Sequence, residues 1–394
     1  MHNFDITRAR AETPGCGHVL HFNAAGSSLP PQCVVDAQKA HLDLEAEMGG
    51  YEAADVRHDA IEHSYDAIAQ LLNCQRDEIA IIENATRAWD MAFYAIPFNP
   101  GDRILTAQAE YGSNYIAYLQ VAQRTGAVIE VIPNDEWGQV SVAALRQMMD
   151  ARVKLISITH IPTNGGLVNP ATEIGAVARE WNCLYLLDAC QSVGQMPLDV
   201  QATGCDMLSA TGRKYLRGPR GSGFLYVRRA ALAQLDPPML DLYAATWVAR
   251  DRYEVRADAR RFENWETNYA AKIGLGVAVD YALNWGLAAI WARVHYLGEL
   301  LRLRLAHVPG LTVRDLGKTR CGIVTFTHAS HDPAAIKAAL AAHHPRINVT
   351  TTSPFGTRLD MEARGLSLMV RASLHYYNDE DEIEQFCQAL SLIG

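Results

Sequence analysis

Leu184-Tyr-Leu-Leu-Asp188-Ala-Cys-Gln191, followed by Ser209-Ala-Thr-Gly-Arg-Lys214-Tyr-Leu-Arg-Gly-Pro-Arg-Gly-Ser-Gly223, is the stretch that decides the architecture. In the first segment a short apolar run ends in an acid. Such a run reads as a strand buried on both faces. Asp188 then stands at the carboxyl end of that strand, where open α/β sheets bind their ligands. In the second segment another strand ends in small and hydroxyl residues. Arg213 and Lys214 follow, and then a glycine-rich turn into a third strand that starts at Gly223.

Outward from this stretch the same alternation continues. Further strands are predicted at Glu78–Ile82, Arg103–Thr106, Val128–Ile132 and Leu155–Thr159, with the segments above giving Leu184–Leu187, Met207–Ser209 and Gly223–Val227. Helical patterns lie between several of them, at Ile116–Thr125, Val142–Asp150 and Glu173–Trp181. Strand–helix alternation of this kind gives a mostly parallel sheet covered on both faces. The Pro237-Pro238 doublet marks a loop. From about Tyr269 the pattern changes to two long helices, Ala271–Trp285 and Leu287–His307. Strands at Gly322–Thr327 and Ser367–Ala372 and a last helix, Asp379–Leu392, complete the chain. The expected fold class is therefore α/β: a large domain with a mostly parallel mixed sheet covered by helices, plus a smaller α+β C-terminal domain. The boundaries are an N-terminal arm over 1–20, the large domain over 21–262 and the small domain over 263–394.

The composition agrees with a folded two-domain protein. The chain has 394 residues, 49% of them hydrophobic and 20% charged, against a prior of about 100–200 residues per domain. That excludes disorder, collagen and coiled coil. Lys plus Arg number 35 against 44 Asp plus Glu, a formal charge of −9. This argues against a nucleic-acid partner, whose binding is driven by cationic contacts to phosphate. The eight cysteines form no C-x-x-C pair and no cluster with zinc spacing, so reduced thiols and no metal are expected. The start, MHNFDITRARAE, lacks the apolar stretch of a signal peptide, and no apolar run approaches the roughly 20 residues that span a bilayer. A cytoplasmic protein without a membrane partner is expected.

Familiar motifs fail. No G-x-G-x-x-G follows a strand, Gly317-Lys318-Thr319 lacks the first P-loop glycine because Thr312 stands there, and neither G-x-S-x-G nor H-E-x-x-H occurs. What remains is Asp188 with Lys214, twenty-six residues later. A lysine beside cationic Arg213 suits Schiff-base chemistry. An acid able to face a pyridine nitrogen, together with such a lysine, is the protein half of a pyridoxal phosphate site. The alternative is a surface lysine and a solvated aspartate.

The order and wording of several segments resemble the class V aminotransferase and cysteine desulfurase family of fold-type I pyridoxal phosphate enzymes. They are His21-Phe-Asn-Ala-Ala-Gly-Ser-Ser-Leu-Pro30, Glu83-Asn-Ala-Thr86, Ala109-Glu-Tyr-Gly-Ser-Asn114, Thr159-His-Ile-Pro-Thr-Asn164-Gly, Asp188 to Gln191, Thr211 to Lys214, and Val370-Arg371-Ala-Ser-Leu-His-Tyr-Tyr-Asn378-Asp-Glu-Asp-Glu. The resemblance implies pyridoxal 5′-phosphate as cofactor, with Lys214 the lysine that bonds it and moves the substrate's α-proton. Asp188 would pair with the ring nitrogen, its alternative being a helix cap. Gln191 and Asn164 would hold the phenolic oxygen, or be ordinary loop amides. Tyr111 stands where the family's ring-stacking residue lies, or is a core tyrosine. Ala85 and Thr86 would cradle the phosphate at a helix start, Thr86 also being able to cap that helix. Thr211 and Arg213 would complete the phosphate cup.

For the substrate, the resemblance makes Arg371 the α-carboxylate clamp, with a salt bridge to Asp379–Glu382 as the alternative. Ala25 is placed beside the substrate. Arg358 contacts a distal carboxylate or is a surface arginine. In relatives the segment matching Phe262-Glu-Asn-Trp265-Glu266-Thr267-Asn268 carries a threonine that reaches the neighbouring subunit's phosphate. Simple alignment puts Glu266 there and Thr267 one residue later. A homodimer with active sites at the interface and an amino-acid substrate are implied.

The family spans desulfurases, lyases, epimerases and aminotransferases, and fold does not choose among them. Desulfurases carry a nucleophilic cysteine shortly before the carboxylate-binding arginine. Here that stretch reads Ile347-Asn-Val-Thr-Thr-Thr-Ser-Pro-Phe-Gly-Thr-Arg358-Leu-Asp, without one, and a persulfide needs a thiolate. Gly49-Gly-Tyr51-Glu and Phe-Glu-x-Trp-Glu resemble desulfurase-like lyases and isopenicillin-epimerase-like members. The leading expectation is a β-elimination C–S lyase on an S-substituted cysteine or its sulfoxide, of the ergothioneine-pathway type. A class V aminotransferase or amino-acid epimerase is the alternative, and true desulfuration ranks below both.

Overall fold

The computed structural model describes residues 4–393; residues 1–3 of the expected arm and the last residue of the expected small domain lie outside the described residues. Seven strands build the large sheet: β1 (Ile79–Ile82), β2 (Arg103–Ala107), β3 (Val128–Ile132), β4 (Val153–Thr159), β5 (Leu184–Asp188), β6 (Met207–Thr211) and β7 (Gly223–Val227). Their spatial order is β1-β7-β6-β5-β4-β2-β3. Only β7 runs antiparallel to its neighbours. Every residue of β5, β6 and β7 is buried, which is why these segments read as continuous apolar runs rather than alternating ones. Because β1, β2, β4, β5 and β6 all point the same way, the turns that follow them leave from a single sheet edge.

Glycine is required where those turns crowd. A Cβ on Gly223 would meet the Ala210 carbonyl oxygen at 2.6 Å and the Asn84 backbone at 3.1 Å. A Cβ on Gly194 would lie 2.5 Å from the backbone of Tyr215 and Leu216. The bare backbone at these two points lets the turn after β1 and the chain after Lys214 pack against the sheet edge.

The second sheet has four antiparallel strands: β8 (Leu311–Val313), β9 (Ile323–His328), β10 (Thr350–Thr352) and β11 (Met369–Ser373), in the order β8-β9-β11-β10. Val19–His21 pairs in parallel with Arg346–Asn348, and Phe22 stacks on Phe386 at 4.7 Å. Residues 19–22, at the join between the expected arm and large domain, therefore lie along the C-terminal unit. Helices Tyr269–Trp285 and Leu287–Leu305 meet at 79°, turning at Gly286, whose φ of +81° favours glycine. Among the described residues no single helix is long and apolar enough to cross a membrane.

Strand and helix positions follow the hydrophobic pattern to within a few residues. Strand β1 starts one residue later than expected, because Arg76–Glu78 forms a turn closed by a reciprocal Gln75–Glu78 cap. Two long helices, Gln32–Met48 and His58–Leu72, lie in a stretch to which the sequence reading assigns no element. The first buries only Val34 and His41, so its apolar face carries almost no signal.

Arg217 joins the parts. It is fully buried, sits at φ +63°, and donates to the Leu29 carbonyl oxygen (2.9 Å), the Tyr376 hydroxyl (2.6 Å) and the Thr13 hydroxyl (2.5 Å). Its guanidinium lies 4.8–5.6 Å from the ring centres of Tyr281, Tyr376 and Tyr377. Replacing it by leucine leaves three buried groups without their donor in a strained turn. R217L is expected to lower unfolding stability by about 3 kcal/mol, measured by urea denaturation; a loss below about 1 kcal/mol would contradict this account.

Candidate active site

Five turns from the same sheet edge close around a cavity of about 200 Å³. Ala85 and Thr86 come from the turn after β1, Tyr111 from that after β2, Asp188 and Gln191 from that after β5, and Thr211, Arg213 and Lys214 from the end of β6; all of them line the cavity. Thr159, Ile161 and Thr163 after β4 complete the wall.

One end of the cavity is built for an anion. Helix Ala85–Phe93 is capped by Asn84, whose side-chain oxygen accepts from the Arg87 N–H at 3.0 Å. Asn84 rather than Thr86 is therefore the cap, and Ala85 and Thr86 keep the open first-turn positions facing the cavity. The Thr211 hydroxyl leans on the Ser222 carbonyl at 3.4 Å. Arg213 is tied to the Gly26 carbonyl and adds a fixed positive charge.

The turn after β5 brings a buried acid to the cavity. Asp188 Oδ1 accepts from the Cys190 N–H (2.9 Å) and Oδ2 from the Asn114 amide (3.1 Å). Burial pushes its carboxyl above the ordinary carboxylate range, against the Cys190 N–H, Lys214 and Asn114, which favour the anion. Asn114 also donates to Glu110 at 2.9 Å. Glu110 accepts as well from the Thr106 hydroxyl (3.0 Å), the Tyr111 N–H (2.9 Å), and the Thr159 N–H (3.2 Å) and hydroxyl (2.5 Å). Burial raises its pKa from 4.5 to about 7, opposed first by the Thr159 hydrogen bond and reinforced by the Asp188 charge. Sequence reasoning assigned no role to Glu110 or Asn114. Their only signal is an i, i+4 polar pair across a helix start.

A second layer stands behind the wall. Arg371, almost fully buried, donates to the Thr163 carbonyl (3.2 Å) and to the Thr163 hydroxyl. Its Nε is buried without a partner, and burial lowers its pKa to about 10. Among the described residues no carboxylate pairs with it: Glu382 and Asp379 bind Arg10 (2.7 and 3.1 Å), and Glu380 binds Arg293 (2.6 Å). The alternative of a salt bridge to Asp379–Glu382 is thereby removed. Asn164 lies behind the wall too, its amide donating to Asp360 at 3.0 Å, while Arg364 holds Asp360 at 3.0 Å. Gln191 donates to the Ala25 carbonyl at 3.2 Å, and the Ala25 N–H donates to Ser373 at 2.9 Å. The Asn164 and Gln191 amide oxygens are both buried and unpartnered, so each amide has hydrogen-bonding capacity left for a ligand. A phosphate-sized donor cup, a buried acid, a wall lysine and spare amides fit pyridoxal 5′-phosphate.

Two expected residues lie elsewhere. Arg358 has a side chain 69% exposed, pairs with Glu362 at 2.6 Å and does not line the cavity; one turn of helix separates it from its i+4 acid, and the surface reading is the one the geometry matches. Thr267 is also outside, beside Glu266 in an outer groove that reaches Glu83 and Ser222. Cys190 does line the cavity, on the same turn as Asp188 and Gln191.

Comparison with known proteins gives one consistent match. The sequence model of the family "Aminotransferase class-V" fits residues 19–386. A Methanothermobacter thermautotrophicus protein named "Probable cysteine desulfurase" is 28% identical over 397 residues, covering 98% of this chain and 97% of that protein. A Xylella fastidiosa (strain Temecula1) protein of the same name is 30% identical, covering 98% and 95%. Among solved structures, the apo cysteine desulfurase of Thermococcus onnurineus NA1 superposes with a TM-score of 0.90 at 24% identity, covering 100% and 98%, which shows the shared fold. The complex of "the cystine C-S lyase C-DES" with "its reaction product cysteine persulfide" superposes at 0.85 with 25% identity, covering 96% and 99%.

Glu110 gives the site a pH signature. Its folded-state pKa of about 7 exceeds the ordinary 4.5, so the folded protein binds more protons than the unfolded chain between those values. Its contribution to stability is then fully present below pH 4.5 and is lost as pH rises through about 7. The stability difference between the cofactor-free wild type and E110Q is expected to shift against the wild type by roughly 2–3 kcal/mol from pH 4.5 to 7.5. Urea midpoints for both proteins across that range check this; parallel curves would refute it.

Proposed function

The chain belongs to the class V aminotransferase family of pyridoxal 5′-phosphate enzymes, and from that premise we propose that it is a C–S lyase acting on a sulfur-substituted cysteine. The observation that carries this reading is the segment before Arg371. Residues Ser353–Thr357 dock beside Tyr111 of the cavity wall through the Gly112 N–H and the Gly356 carbonyl at 2.8 Å, and this segment, with Phe355 91% exposed, carries no cysteine. Cys321 is fully buried, and burial pushes its thiol up to about 12. Its protonated form cannot accept sulfur.

The residues take the following roles. Ala85, Thr86, Thr211 and Arg213 hold the phosphate, Asp188 the ring nitrogen, and Gln191 and Asn164 the phenolic oxygen, while Tyr111 covers the ring face. The bound cofactor supplies a cationic ring that accepts electron density from the amino acid's α-carbon. Arg371, with no carboxylate of its own, takes the substrate's α-carboxylate, beside Ala25. Lys214 would hold the cofactor until the substrate's amine displaces it, and its freed amine would then take the α-proton. The Cβ–S bond then breaks, and sulfur leaves with the bonding electron pair and a proton. Water completes the conversion of the three-carbon fragment to pyruvate and ammonium. Thr267, with exposed Trp247, Tyr253 and Trp265 nearby in sequence, supports a homodimer in which this face meets the second copy and Thr267 approaches that copy's phosphate.

Desulfuration is the second reading. It is favoured by the relatives' names and by a thiol, Cys190, on the cavity wall. Burial raises the Cys190 pKa, with Lys214 working against it. Cystine, S-substituted cysteines, cysteine sulfoxides and free cysteine should be given to the holoenzyme without a keto-acid acceptor. Pyruvate and ammonium in repeated turnovers are expected, falling at least about a thousandfold in K214A. Alanine with a persulfide on Cys190 would replace the lyase by a desulfurase. A single equivalent of keto acid per cofactor would mean an aminotransferase, and α-hydrogen exchange alone an epimerase.

A further inference from the structure

The cavity's acidic end contains more negative charge than one contact to a ring nitrogen requires. The Asn114 amide nitrogen carries two hydrogens, and the structure uses one on each of two carboxylates: Glu110 at 2.9 Å and Asp188 at 3.1 Å. Both acids are buried. The groups that face Glu110 are Thr106 at the end of β2, the Tyr111 N–H, Asn114, the buried Tyr118 one turn further along the same helix, Thr159 at the end of β4, and Asp188 at the end of β5. Five hydrogen bonds are donated to its two oxygens, which suits an acceptor-only carboxylate. No lysine, arginine or histidine hydrogen-bonds or pairs with it among the described residues. A buried anion without a cation, set next to a second anion, is costly. A cationic ligand group at Asp188 would offset the Glu110 charge.

We propose that Glu110, acting through Asn114, is a positioning residue that fixes Asp188 and adds a second negative charge behind it, so that the site selects a cofactor whose ring nitrogen is protonated. The inference rests on the reading above, in which pyridoxal 5′-phosphate occupies the cavity with its ring nitrogen at Asp188. With Oδ1 held by the Cys190 N–H and Oδ2 by Asn114, the Asp188 carboxylate cannot rotate. The field of Glu110 strengthens its hold on a cation and contributes nothing to a neutral ring.

The test compares pyridoxal 5′-phosphate with its 1-deaza analogue, in which a C–H replaces the ring nitrogen. Dissociation constants are read by absorbance titration of cofactor-free wild type, E110Q and N114A at pH 8. N114A leaves the four remaining donors on Glu110 in place and serves if E110Q does not fold. Wild type should bind pyridoxal 5′-phosphate more tightly than the analogue. Both variants should reduce that preference about tenfold, with analogue affinity within about twofold of wild type. Equal losses for the two ligands would mean that Glu110 only braces the wall, and would overturn the proposal, as would an unchanged preference. If wild type binds neither ligand, the reading of the cavity itself fails. That outcome is distinct from a wild type that binds both but shows no dependence on Glu110.

Discussion

A buried cation three residues after Lys214 holds this structure together. Arg217 reaches Thr13 and Leu29 from the N-terminal stretch and Tyr376 from the C-terminal unit. Its own turn sits at the left-handed φ that arginine adopts only under constraint. The charge is tolerated because three tyrosine rings surround it and each of its three nitrogens donates a hydrogen bond. The consequence for the site is direct. Lys214 lies on a segment pinned on one side by strand β6 and on the other by Arg217, so the position of its amine is set by the packing of both units.

The cavity is lined by groups of both electrostatic preferences. At the helix Ala85–Phe93 end, open N–H groups, hydroxyls and Arg213 favour negative charge. At the Asp188 end, two carboxylates and the amide between them favour positive charge. Arg371 stands apart behind Thr163, a guanidinium whose pKa is lowered by burial. Left unpaired, such groups cost stability, and a ligand carrying a phosphate, a protonated ring nitrogen and a carboxylate would offer each of them a partner. The same groups thus weaken the free protein and select the ligand.

Much of this was legible in the sequence, and the parts that were not have physical reasons. The strand end at Asp188 was readable because a strand buried on both faces leaves a long apolar run that its first polar residue closes; the strand expected to stop at Ser209 runs on to Thr211, because its hydroxyl residues are buried within the sheet. Arg371 was readable only through its resemblance to a known segment. Arg358, thirteen residues earlier, could not be told from it by residue type; what separates them is that one lies in a buried strand and the other on a short exposed helix. Glu110 and Asn114 were quoted in a matching segment without a role. Their partners, Thr159 and Asp188, lie forty-nine and seventy-four residues away, and no local pattern encodes that meeting. Thr267 lies outside the cavity of its own chain, and a single sequence does not show what a second copy brings near.

The choice of reaction turns on one missing group rather than on one that is present. Removing an α-proton and expelling sulfur from the β-carbon asks for a base, an electron-accepting ring and a leaving group. Transferring that sulfur to the protein asks also for a thiolate that can reach the substrate's sulfur. The segment that docks on Gly112 offers Ser353, Phe355 and Thr357 but no thiol. Cys190 is in the cavity but on the turn that carries Asp188 and Gln191, where burial favours its protonated form. A nucleophile placed among the groups that grip the cofactor would have to meet the substrate's sulfur from the cofactor's side of the cavity. A thiol on the segment over the entrance would meet it from the substrate's side. That difference in placement, rather than the count of cysteines, is the argument for elimination as the proposed use of this site.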